Sequence, residues 1–221
     1  MKTRSKAILL ISGAAVLAGT TVFGTLAFLT AQETAVNTFT VGKVEIDLKE
    51  TDVDGDGDVL VNEYRLVPGT EYVKDPQMTV LKGSESAYVR MLLTVHNADT
   101  VETIIDEDET LTDFTGFLGG MSENWILSGT TEDETANTIT YEYRYYDADA
   151  DSAVVTGSAA EDTELPALFE TLIIPSTLDG DDLEELVSGG FKMVVEGHAI
   201  QAQGFENADM AWTAFDKQIG E

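Results

Sequence analysis

The sequence predicts a mainly β fold, an antiparallel sandwich carrying short helices. Three observations point there. Apolar and polar residues alternate at period two in several separate segments, the connections between them are irregular and rich in acidic and turn residues, and no fixed-period repeat runs through the chain. In the first segment Val44, Ile46 and Leu48 alternate with Glu45, Asp47 and Lys49, which gives one buried and one wet face. In the second, Ala87, Val89, Met91, Leu93 and Val95 fall on one side, and Tyr88, Arg90, Leu92, Thr94 and His96 on the other. Because that other side is half apolar, this strand is expected at the centre of a sheet or beneath a loop. Ile139, Tyr141, Tyr143 and Tyr145 form a third strand, with Thr140, Glu142 and Arg144 between them, and residues 191–200 a fourth. Residues 147–164 hold Ala, Ser and Asp but few large apolar side chains, and read as a long surface loop. Two helices are expected. Asp179 or Asp181 caps a short one through Leu183, Leu186 and Val187, ended by Gly189-Gly190; the other follows Asn207, with Met210, Ala211, Trp212 and Phe215 as its apolar stripe.

Ahead of these elements stands a segment with the parts of a secretory signal: Lys2, Arg4 and Lys6, then an uncharged, largely apolar run to Gln32. Thr25-Leu26-Ala27 leaves small residues at the cut and two places before it, so residues 1–27 are read as a signal peptide and Phe28 as the mature start, with cleavage after Ala31 as the second choice. A retained membrane anchor is the alternative, since about 20 apolar residues can span a bilayer; Gly13, Gly19, Thr20, Thr21, Gly24 and Thr25 weaken it. On this division residues 28–41 are an extended N-terminal segment and residues 42–221 the sandwich domain. The product is expected outside the cell, meeting a membrane only transiently through its leader.

Composition narrows the function classes. The 221 residues include 12 Lys and Arg against 41 Asp and Glu, a formal net charge of −29, and losing the leader makes it more negative still. Phosphate binding needs clustered cations that displace counterions, so nucleic acid is excluded as an expected partner. Hydrophobic residues make up 43% of the chain, enough for a packed core despite the charge. With no cysteine, disulfides, thiolate zinc sites and cysteine nucleophiles are all ruled out.

One metal site is spelled out. Asp52-Val-Asp54-Gly-Asp56-Gly57-Asp58-Val-Leu-Val-Asn-Glu63 fits the calcium-loop template at every defined position. Carboxylates at positions one, three and five converge because the glycine at six permits a sharp turn. Asp58 at seven would give its backbone carbonyl and Glu63 at twelve a bidentate carboxylate, a hard oxygen set that suits calcium. The flanks depart from an EF-hand, for the preceding segment alternates like a strand and Tyr64-Arg-Leu-Val-Pro68 is no helix. A solvated acidic turn is the competing reading.

Other constellations lack the pattern of chemistry. His96 and His198, the two histidines, belong to no His-Glu-x-x-His pair and lie in strand-like patterns, where a packed or hydrogen-bonded histidine is the expectation. No Gly-x-Ser-x-Gly elbow supports a nucleophilic serine, the glycines form no phosphate cradle, and 41 carboxylates make chance pairings too cheap to name a dyad. The tyrosine row at 141, 143 and 145 reads as a core or cross-strand face rather than a sugar platform.

The order of short motifs carries a resemblance. Gly24-Thr25-Leu26-Ala27-Phe28-Leu29-Thr30 is followed by Asn37-Thr38-Phe39-Thr40-Val41-Gly42-Lys43-Val44-Glu45-Ile46, then Leu66-Val67-Pro68-Gly69, Lys74-Asp75-Pro76, Ser86-Ala87-Tyr88-Val89-Arg90, the stretch from His198 to Phe205, and Ala211-Trp212. This series resembles the TasA and camelysin-type proteins, exported by Gram-positive bacteria and released by a SipW-type signal peptidase. The resemblance implies a jelly-roll form of the sandwich. It also implies an extracellular matrix subunit that assembles with itself into filaments when an extended N-terminal segment of one molecule completes the sheet of the next. Residues 28–41 suit that role, being free of proline and glycine with Glu33 as their one charge, and Phe28, Leu29, Val36 and Phe39 are the side chains expected in the acceptor groove. In the competing reading, residues 37–41 are simply the first strand of their own subunit. Calcium would offset repulsion between the assembling acidic subunits. The resemblance also brings an alternative, a camelysin-like cell-surface metalloprotease, for which the zinc helix motif is missing. A further alternative is a monomeric adhesin or accessory fibre subunit.

Overall fold

In the computed structural model the described residues are 43–59, 62–108 and 111–219. The leader, residues 28–41 and their Phe28, Leu29, Val36 and Phe39 lie outside the described residues. All strand pairings are antiparallel, and the fold is mainly β, a sandwich with short helices, as the alternation predicts.

The strands are β1 (Ile46–Lys49), β2 (Glu71–Val73), β3 (Gln77–Val80), β4 (Ala87–His96), β5 (Leu118–Gly119), β6 (Trp125–Asp133), β7 (Thr138–Tyr145), β8 (Val154–Val155), β9 (Thr163–Glu164), β10 (Thr171–Ile173) and β11 (Lys192–Gln201). The helices are α1 (Ala98–Glu107), α2 (Gly180–Ser188) and α3 (Ala208–Ile219). They form three sheets, ordered β1-β3-β9, β2-β10-β5 and β11-β4-β7-β6, with β8 pairing β4 beside the last.

Strand β4 organises the molecule. It pairs with β11 on one side and β7 on the other, which places it centrally, as its two partly apolar faces predict. Its inward face supplies Val89, Met91, Leu93 and Val95, each at most 1% exposed. These meet Met78 and Val80 of β3, Leu118 of β5 and Leu172 of β10, so all three sheets share one core. Burying each such side chain is worth about 1.5–3 kcal/mol. Gly197 on β11 leaves room for the end of Met78, which would have to shift for a Cβ there because the two would lie 2.5 Å apart. The tyrosine row of β7 faces this core: Tyr143 is buried, while Tyr141 and Tyr145 pack partly against it.

The helix signals hold with two corrections, Val187 and Met210. Asp179 caps α2 through a capping box with Asp182, and Leu183 and Leu186 are buried, but Val187 turns outward and is 58% exposed. In α3, Ala211 and Trp212 are buried whereas Met210 is exposed. Helix α1 is unannounced by a cap side chain. Its N-cap Asn97 sits at φ 61°, and the Asn97 amide donates instead to the Leu186 carbonyl, tying α1 to α2. Residues 147–164 are a loop interrupted by the short strand β8 and closed by the start of β9. None of the helices described is long and apolar enough to cross a membrane.

Candidate metal loop and open groove

The acidic segment forms a loop at the end of β1, closed at its neck by the Glu50 N–H donating to the Val59 carbonyl at 2.8 Å. Asp52 accepts from Gly55 N–H at 2.6 Å and from Gly57 N–H at 2.9 Å, so the chain curls around its first carboxylate. Both glycines have positive φ, 78° and 90°, conformations that side chains rarely adopt. The N–H groups of Glu63 and Asp56 hold the Asp54 carboxylate below its ordinary pKa. Asn62 staples the loop across its middle, accepting from Val53 N–H and donating to the Thr51 carbonyl.

This curl brings Asp52, Asp54 and Asp56 together, each offering a carboxylate oxygen within 4.8 Å of the others. Asp58 and Glu63 are not members of that set; Glu63 enters through its backbone N–H, its side chain lying exposed. The template therefore assembles in its first half. Three carboxylates with spare lone pairs are a donor set that fits a hard divalent cation. Among the described residues no other group of three or more His, Asp or Glu side chains converges in this way, and neither histidine belongs to this one.

The loop is fixed to the body at its base. Lys74 Nζ donates to both Glu50 oxygens, at 2.8 and 2.9 Å, with the two side chains 9% and 8% exposed. Beside them Asp75 accepts from both the N–H and the hydroxyl of Thr51, each at 2.7 Å. Tyr64 donates to the Val73 carbonyl and meets Tyr72 edge-on; burial, with help from the charges of Glu50, Asp75 and Asp54, raises its phenol pKa well above the usual value.

The same ion pair stands at one end of a groove of about 920 Å³. One wall is β1 and the other β11. Each is the last strand of its sheet, so among the described residues each has a hydrogen-bonded neighbour on one side only. Ile46, Leu48, Leu66, Phe191, Met193 and Val195 line it, all half-buried and all packed against the main core. Asn62, Tyr64, Glu50 and Lys74 form its polar end. Sequence reasoning found the apolar faces of both walls but not the groove. Alternation says which side of a strand turns inward; it does not say that two such strands, some 145 residues apart, leave a gap between them.

Comparison with known proteins adds no relative: no family model matches the chain, and neither a curated protein nor a solved structure does.

Proposed function

We propose that this chain is a secreted structural subunit of extracellular filaments, freed from its leader by a SipW-type signal peptidase and polymerised by donor-strand exchange. On this reading it belongs with the TasA and camelysin-type matrix proteins that its ordered motifs resemble, and it is not an enzyme. The groove between β1 and β11 carries the proposal. Among the described residues, two sheet edges without an outer strand flank a half-buried apolar floor, which is what an added strand needs: main-chain partners for affinity and pockets for alternate side chains.

The proposed occupant is residues 28–41 of a second copy, with Phe28, Leu29, Val36 and Phe39 entering the floor. Fully extended, this segment reaches about 45 Å, longer than the ten residues of β11. Residues 43–45 are tied to the segment that follows β3. Glu85 N–H donates to the Lys43 carbonyl, Leu81 N–H to that of Glu45, and Glu45 N–H to the Ser84 hydroxyl. The chain is thereby held alongside residues 81–85 ahead of β1, whereas the polar end of the groove, with Glu50, lies beyond it.

Calcium is proposed at Asp52, Asp54 and Asp56, with the Asp58 carbonyl and Glu63 completing the shell once the second half of the loop closes. Its task would be to offset repulsion between mature subunits, whose formal net charge goes from −29 to −32 without the leader's three cations. Calorimetric titration of the mature protein is expected to give calcium-dependent heat, and assembly to weaken in chelator; no heat at millimolar calcium refutes the site.

Electron microscopy of the processed protein tests the main proposal. Filaments are expected, and deletion of residues 28–37 should abolish them while leaving a folded monomer. Unaltered filaments from the truncated chain refute donor exchange. Dispersed particles from the intact chain favour an accessory or adhesive subunit, and chelator-sensitive casein cleavage favours a metalloprotease.

A further inference from the structure

On the opposite face of the large sheet lies a second, smaller apolar cluster. Tyr88, Ala211 and Trp212 are buried in it, with Val154, Ile200, Ala202, Phe205 and Phe215 packed around them, and it is separate from the main core. Helix α3 supplies its cover. What pins the helix is largely polar. The Arg90 side chain, 3% exposed, donates to Asp216 of α3 at 2.5 Å and to Glu142 of β7 at 3.2 Å, and its guanidinium lies 4.5 Å from the Trp212 ring centre and 5.2 Å from that of Phe215. Arg144 of β7 makes the parallel contact, to Glu142 and to Asp209 of α3.

A further donor of Arg90 has an unusual acceptor. Its Nε–H points at Nδ1 of His198 on β11, 3.2 Å away. A guanidinium has no lone pair to offer, so Nδ1 must be the unprotonated nitrogen of a neutral imidazole. The ring also lies 4.9 Å from that of Phe215 on α3.

We infer that α3 is a proton-sensitive clasp: when His198 takes up a proton, its hydrogen bond from Arg90 becomes a repulsion and the helix is released from the sheet. The charged groups around His198 are Arg90 on β4, Glu142 on β7, Asp216 on α3 and Glu196 on its own strand, with Arg144 one step beyond on β7. Burial, and then the Arg90 charge, lower the pKa of the ring; Glu196, Asp216 and Glu142 oppose them without reversing the direction. A lowered folded-state pKa means that the docked state favours the neutral ring. The stabilisation is complete above the unfolded value of about 6.5 and is lost as pH falls below it toward the folded value. Release would uncover Tyr88, Val154, Ile200 and Ala202 while the main core stays closed. This inference stands apart from the filament proposal because it needs no second copy and none of the apolar floor, although His198 and Glu196 border the same groove.

Hydrogen–deuterium exchange of the mature protein tests it, compared at about pH 7.5 and about pH 5.5, on either side of the ordinary histidine range, after correction for intrinsic rates. Amides of residues 208–219 are expected to lose protection severalfold at the lower pH, with those of β7 unchanged. His198→Gln, whose side-chain carbonyl still accepts from Arg90, should stay closed at both pH values, and His96→Gln should respond like the parent. Exchange in α3 that ignores pH in the parent overturns the inference. So does a response that survives His198→Gln, which would place the proton on Glu142, Asp209 or Asp216. If His198→Gln does not fold, NMR titration of the parent decides: His198 titrating while α3 protection stays constant also overturns it.

Discussion

Strands β6 and β11 are the two edges of one sheet, and they are built in opposite ways. In β6 only Trp125 is buried, a bulge between Leu127 and Gly129 breaks the register, and the strand ends on Glu132 and Asp133. Its exposed Ile126 and Leu127 are neighbours in sequence, so they point to opposite faces and form no common patch. In β11 apolar residues are half-buried along the strand and face a groove. Charge, a bulge and the lack of an apolar face are the ordinary means of making an edge unattractive to other strands. The bulge and the missing apolar face belong to β6 alone; β11 carries exposed Lys192 and Glu196, yet keeps a regular register and an apolar face.

The sharpest way to break that contrast is at the polar end of the groove. Lys74→Ala strands Glu50 in a nearly buried site and should cost about 3–5 kcal/mol in urea unfolding of the mature protein, whereas replacing both partners by methionine should recover most of it. Next, Val195→Asp puts a charge into the apolar floor; a loss of about 1–3 kcal/mol and of filaments is expected by melting and electron microscopy. A smaller effect belongs to α2, whose exposed Val187 borders the groove. Asp179→Ala removes the N-cap of the helix that carries Val187 to the groove, and about 1 kcal/mol should be lost in thermal melting. The smallest is the control on the far edge: Thr130→Asp should change stability by no more than about 0.5 kcal/mol and leave filaments intact. Equal damage from Thr130→Asp and Val195→Asp would erase the distinction between the edges.

The long strands β4, β7 and β11 and the helices α2 and α3 are legible in the sequence, because each carries a full period of its pattern and α2 carries its cap as well. The strands β2, β5, β8, β9 and β10 span two or three residues each, too short for any period to register. Strand β6 escapes for another reason, since an edge that buries one residue shows no alternation. Helix α1 could have been found from Ala98, Val101, Ile104 and Ile105, whose spacing is helical, but its left-handed Asn97 looks like a turn residue rather than a cap. At the metal loop the first three carboxylates are readable from spacing alone. Whether the twelfth position swings in depends on a strand-like flank that no spacing rule describes. The Arg90 cluster is wholly tertiary, joining residues 52, 108 and 126 positions apart.

Lys74 has a practical consequence as a reporter. Its ammonium is held by both Glu50 oxygens and screened from solvent, so it lacks the access that an acylating reagent requires. Lys43 and Lys49, in ion pairs of their own, have side chains open to solvent. Amine labelling read by mass spectrometry would therefore mark the surface lysines first, and the delay at Lys74 would time how often the neck of the acidic loop works loose.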